Sequence, residues 1–245
     1  MSCKTGLVEG VEALARWHHP VHGIVSPADW IPFAEQTGEI HNIGEVLLNK
    51  ACEWQSCFQK LGLSINVAVN ISTSQLEAEY FVDRLLAVIK KYEITPHSIE
   101  IEITESVMAA DLDKVGSKLA HIRECGFRVA LDDFGTGYSS LSYLQHLPLD
   151  VLKIDRSFIR DIDKQHGAFL AETVLSIAQS LNLTTVAEGV ETQEQLEKVV
   201  TLGVDIIQGY FYSKPVPGDH VAGLVETINS ESCCHTGAER PSRAA

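Results

Sequence analysis

The segment Ile99-Glu-Ile-Glu-Ile103 puts three isoleucines on one face of a strand and Glu100 and Glu102 on the other. The same division recurs in Val151-Leu-Lys-Ile-Asp155, where Lys153 and Asp155 oppose Leu152 and Ile154, and along Asn66, Ala68 and Asn70. Helical patterns separate these segments, which points to parallel strands joined by crossovers. A central strand of an open, doubly wound sheet is covered by helices on both faces and should be apolar on both. One apolar face against helices and one polar face turned into a closed wall suits a barrel instead. The expected fold is α/β, a TIM-like (β/α) barrel.

Seven strand-like segments are read, at roughly 8–15, 64–71, 99–104, 128–132, 151–155, 184–188 and 205–209. Helix ends between them carry chemical marks. Thr192-Gln-Glu-Gln195 has the form of a capping box, Gly203 closes that helix, and Gly126 and Gly62 close two others. Val115, Leu119 and Ile122 make the apolar stripe of a helix laid on a sheet. Residues 1–229 are read as one domain, and 230–245, rich in Ser, Glu, Arg and Ala without periodicity, as a disordered tail.

The chain carries a formal net charge of −14, which argues against a nucleic acid polymer as partner for its surface. It has no apolar run of about 20 residues that would span a bilayer, and Met1-Ser-Cys-Lys-Thr-Gly6 lacks a signal peptide's apolar core. Cys52, Cys57 and Cys125 fall in helical patterns with no CxxC pair, as reduced thiols do, so a cytoplasmic protein is expected. Cys233-Cys234-His235 on the polar tail is a poor zinc set.

Oxygen-bearing side chains recur at the C-terminal ends of the strands. Glu12 lies in the first and Asn70 closes the second; Glu102 follows on the third, and Asp132 and Asp133 on the fourth. Lys153, Glu188 and Gln208 complete the series. Barrel enzymes assemble their sites at this rim from several strands. Adjacent carboxylates repel each other, so Asp132-Asp133 implies a nearby cation. Carboxylates and amides without a converging His or Cys favour magnesium, manganese or calcium over zinc. His18-His-Pro-Val-His22 is read as a loop, because Pro and Gly punctuate it. Gly135-Thr-Gly137 lacks the full GxGxxG spacing and is read as a mobile loop packing over the site.

Glu12-Ala-Leu14, within Val11-Glu-Ala-Leu-Ala-Arg-Trp17, resembles the signature of the EAL domain family of cyclic di-GMP phosphodiesterases. Val69-Asn-Ile-Ser72, Glu102-Ile-Thr-Glu-Ser106, Asp132-Asp-Phe-Gly-Thr-Gly-Tyr138, Lys153-Ile-Asp-Arg-Ser-Phe158, Ala187-Glu-Gly-Val-Glu191 and Gln208-Gly209 match in the same order. The resemblance implies hydrolysis of cyclic di-GMP to linear 5'-pGpG with two Mg²⁺ or Mn²⁺ ions, Ca²⁺ being inhibitory. It gives Glu12, Asn70, Glu102 and Asp132 as ligands of one ion and Asp132, Asp133 and Glu188 as ligands of the second. Lys153 resembles the lysine near the attacking water, Gln208 the residue that helps orient it, and Glu105 the glutamate that holds the 134–140 loop. Arg16, Asp155 and Glu191 fall where the family contacts substrate. A homodimer formed through helices beside that loop is implied as well.

Two other readings stand beside this one: a non-catalytic cyclic di-GMP receptor or protein-interaction module on the same fold, and a magnesium-dependent barrel enzyme with another substrate. Family members begin about twenty residues earlier, with a strand containing Gln-Pro-Ile. Its absence here leaves the expected barrel with two unpaired edges. No sensor domain is read in the chain.

Overall fold

Seven strands follow one another around a curled, all-parallel sheet in a computed structural model that describes residues 1–109, 111–135 and 144–236. They are β1 (Gly10–Ala13), β4 (Asn66–Asn70), β5 (Ile99–Thr104), β6 (Arg128–Phe134), β7 (Val151–Ile154), β8 (Thr184–Ala187) and β9 (Ile206–Ile207), each paired in parallel with the next. The architecture is the TIM-like α/β fold read from the strand pattern. Among the described residues, no helix is long and apolar enough to cross a membrane.

Helices cover the outer face, and their ends follow local chemistry. In α2 (Ile40–Lys60), Leu48, Ala51, Cys52 and Phe58 turn inward. The helix α5 (Leu112–Glu124) starts where the Asp111 side chain accepts from Lys114 N, and Gly126 beyond it takes φ +95°. The capping box opens α8 (Gln193–Thr201) as the sequence suggests. The helices α3 (Thr73–Glu77), α4 (Phe81–Tyr92) and α6 (Arg156–Arg160) complete the parts that bear on the site. Ile99, Ile101 and Ile103 are buried under this outer layer. Each such side chain stabilises the fold by roughly 1.5–3 kcal/mol relative to exposure.

The inner face is layered. Ala130, Val151 and Val186 form a small apolar cluster with Ile206, separate from the outer core. Alternation then places Asp132, Lys153, Glu188 and Gln208 one layer higher, because each lies two residues further along its own strand. The apolar cluster is a floor, and the polar residues stand on it.

Two expectations are corrected. Of residues 18–22, read as a loop, only 20–22 form a turn, and it joins β2 (Trp17–His19) to the antiparallel β3 (Gly23–Val25), so that His18 and His19 lie in a strand. His19 Nδ1 accepts from the backbone of Val21 and His22, so that ring closes the turn. The outer edge of β9 is not bare either. Met1 donates to Ile207 O at 3.0 Å, Ile207 N to Met1 O at 2.8 Å and Cys3 N to Asp205 O at 2.8 Å, an antiparallel contact. Ser2 N then bonds Leu7 O at 2.9 Å and turns the chain back toward β1. Edge donors and acceptors need partners, and this turn supplies them at the seam.

The last helix among the described residues, α9 (Gly218–Thr236), runs through 230–236, where the sequence pattern suggests a disordered tail. Residues 237–245 lie outside the described residues, as do 136–143, which include most of the 134–140 loop read as packing over the site.

A cage of carboxylates around a buried lysine

Lys153 is 1% exposed, yet its ammonium is surrounded by acids from four other strands or strand ends. Nζ lies 2.7 Å from Glu188 Oε1, 2.8 Å from Glu102 Oε1, 3.2 Å from Asp132 Oδ2 and 3.8 Å from Glu12 Oε2. Burial alone would lower its pKa, but Glu102, then Glu188, Glu12 and Asp132 outweigh it and hold the pKa above the ordinary lysine range. The lysine is a fixed positive charge.

The acids respond in the opposite sense. Burial pushes Glu102 well up despite Lys153, and it pushes Glu188 up to about 7. Asp133 is also raised, by partial burial and then by Asp132 and Asp155. Glu102 Oε2 is buried with no hydrogen-bond partner among the described residues. An orphaned carboxylate oxygen at the centre of an acidic cluster is a seat for a cation.

Ligand-type oxygens of Glu12, Glu102 and Asp132 lie within 4.8 Å of one another, and so do those of Asp132, Asp133 and Glu188. Asp132 belongs to both groups. Asn70 Nδ2 donates to Glu12 Oε1 at 2.7 Å, which leaves its amide oxygen for another partner beside the first group. The donors are all oxygen, the set that hard divalent cations take. Five carboxylates and one ammonium leave four negative charges, which two dications would neutralise.

Plain strand alternation would send Asp132 and Asp133 to opposite faces. Instead the β6–β7 register shifts between Leu131 and Phe134, and Asp133 takes φ +56°, a left-handed conformation that Asp tolerates better than most residues. This bulge turns both carboxylates to the rim. Gln208 Nε2 donates to Glu12 Oε2 at 2.7 Å across the seam. Glu105 sits in a 3₁₀ turn after β5, where its Oε2 accepts from Gly135 N at 3.2 Å and ties down the start of the 134–140 loop.

The three residues expected to touch substrate lie outside the cage. Arg16 is exposed, with Nη1 bonded to Ala15 O at 2.9 Å. Asp155 caps α6, its Oδ1 accepting from Ser157 N at 2.9 Å. Glu191 is exposed and its backbone N–H bonds Gln195 Oε1 at 2.8 Å. The histidines of the hairpin belong to neither group of candidate ligands among the described residues. Reading the sequence missed the edge role of Met1–Cys3; three residues carry no periodicity by which to find it.

The EAL domain model matches residues 1–215. The oxygen sensor protein DosP of Escherichia coli is 40% identical over 230 residues, spanning 92% of this chain and 28% of that protein. The cyclic di-GMP phosphodiesterase NbdA of Pseudomonas aeruginosa is 39% identical over 227 residues, 92% of this chain and 29% of NbdA. The chain thus spans less than a third of the length of these two relatives. The solved structure of the PaMucR phosphodiesterase in a c-di-GMP complex superposes with a TM-score of 0.83 at 37% identity, covering 88% of this chain and 90% of that one.

Proposed function

The chain belongs to the EAL domain family, and on that footing we propose that it hydrolyses cyclic di-GMP to linear 5'-pGpG with two divalent cations, Mg²⁺ or Mn²⁺. The observation that carries this reading is the convergence of Glu12, Glu102, Asp132 and Glu188 on one buried lysine, with one carboxylate oxygen left over. Relatives named as cyclic di-GMP phosphodiesterases supply the substrate.

Glu12, Asn70, Glu102 and Asp132 would hold one ion, and Asp132, Asp133 and Glu188 the other. Bound there, two dications supply a hydroxide near neutral pH and offset the charge that builds on the phosphodiester. The chain's own groups do the rest. Glu12 is kept in one orientation by Asn70 and Gln208, which grip its two oxygens. Gln208, fixed in that way, would also help orient the attacking water. Lys153 brings a positive charge that does not titrate near neutral pH. Glu105 anchors the backbone at Gly135.

Arg16 offers a planar fork for a non-bridging phosphate oxygen, and Asp155 and Glu191 offer acceptors to the guanine edges. Ca²⁺, which prefers more and longer bonds, would be held in an unproductive arrangement and inhibit. A homodimer in the cytoplasm completes the proposal.

Incubation of purified protein with Mn²⁺ and cyclic di-GMP, followed by chromatography, tests it. pGpG should form, and Glu12→Ala should abolish its formation. Cyclic di-GMP recovered intact after tight binding would make the chain a receptor instead.

A further inference from the structure

A cavity of about 310 Å³, lined by residues of α2, α3 and α4, lies outside the carboxylate cage. Its lining includes the buried apolar side chains of Leu48, Ile71, Phe81 and Val88. That volume is at the lower end of the range that small-molecule sites occupy.

One buried amide in the lining has a nitrogen without a partner. Gln75 is 7% exposed, and its Oε1 accepts from Ser72 N and Ser72 Oγ in the capping box of α3, both at 3.2 Å. Its Nε2 makes no hydrogen bond among the described residues. Gly44 of α2 faces this amide, and a β-carbon at position 44 would collide with it. A glycine inside a helix is unfavourable, so its presence here is a local sacrifice of helix stability that makes room for the Gln75 donor. Among the exposed lining residues, Arg84 Nη1 is 3.5 Å from Glu45 Oε2, and Glu79 adds a second acid. No net positive charge is left there to hold an anion.

We propose that this cavity binds a small, neutral, largely apolar molecule bearing a hydrogen-bond acceptor, its apolar part on Leu48, Ile71 and Val88 and its acceptor on Gln75 Nε2. Ile71 in the floor follows Asn70 directly, and its N–H bonds Glu102 O at 2.8 Å. Occupancy is therefore coupled to two residues of the cage; this part rests on the metal reading proposed above.

The test titrates methyl-labelled protein with indole-3-carboxaldehyde and follows Ile71, Leu48 and Val88 by NMR. Saturable shifts at these methyls are expected. Gln75→Glu keeps the acceptor for Ser72 and removes the donor, so it should weaken binding about tenfold, the size of one hydrogen bond. Gly44→Ala, which displaces the amide from its present position, should weaken it too, with Ile101 reporting an intact fold in both. Absent shifts, or undiminished binding by Gln75→Glu, would overturn the site. With the probe saturating, the Mn²⁺ midpoint should move at least twofold. An unmoved midpoint would overturn the coupling, whereas no Mn²⁺ binding at all would overturn the cage reading and leave the cavity standing.

Discussion

Gln208 on the far side of β9 donates a 2.7 Å hydrogen bond to Glu12 of β1, and it does so where no backbone ladder joins those two strands. A side chain thus holds a candidate metal ligand across the open seam of the barrel. Groups that orient a ligand in this way typically cost about 10–100-fold in metal affinity or activity when lost. Gln208→Leu should lower kcat/KM for cyclic di-GMP by about that factor and weaken Mn²⁺ binding in parallel. Unchanged Mn²⁺ affinity in calorimetry would limit Gln208 to the water.

Lys153→Met should destabilise the protein before metal is added. The substitution keeps the length of the side chain and strands Glu102 and Glu188 as unpaired buried acids. Removing one partner from a buried ion pair costs about 3–5 kcal/mol. Urea unfolding in EDTA should register that loss, and Mn²⁺ should restore much of it. A variant as stable as the parent in EDTA would mean the acids hold together without the lysine.

The raised carboxylates predict how pH acts on the metal-free protein. Glu188, ordinarily near 4.5 and pushed to about 7, binds more proton in the folded state than in the unfolded one. Stability from this group is complete below the unfolded value and declines as pH rises through 4.5 to about 7. Glu102 acts in the same direction. Cations take the place of those protons, so the Tm increment from Mn²⁺ should be larger at pH 8 than at pH 5.5. An equal increment at both would remove proton–metal competition from the account.

How much of this was legible in the sequence depends on periodicity. Glu102 and Lys153 could be set on the inner face because their strands alternate cleanly and their neighbours Ile101, Ile103, Leu152 and Ile154 are all buried. Asp133 could not be oriented, since its direction comes from a bulge and a positive φ that alternation does not encode. The hairpin at 17–25 hid behind Pro20 and Gly23, and its turn is closed by a histidine ring that looked like a ligand. Met1–Cys3 pair with β9 through tertiary contact alone. The Gln75 cavity had one local trace, a glycine inside α2.

Gly135→Ala should disturb the loop that Glu105 anchors. Gly135 has φ +95°, and a β-carbon there would collide with the Phe158 ring. Overpacking and left-handed strain together cost about 2 kcal/mol or more. Denaturation should show that loss, with a fall in kcat larger than in Gly62→Ala, where a β-carbon meets open space. Equal effects of the two would leave the Glu105–Gly135 contact without a role in turnover.

Asp132 supplies oxygens to both groups of candidate ligands, and Asp133 to one. Calorimetric titration of the metal-free protein with Mn²⁺ at pH 8 therefore tests the cage most directly. Two ions per chain are expected for the parent, one for Asp133→Asn and none of comparable affinity for Asp132→Asn. A parent chain that takes up no Mn²⁺, or an Asp132→Asn variant that still takes up two ions, would contradict the account.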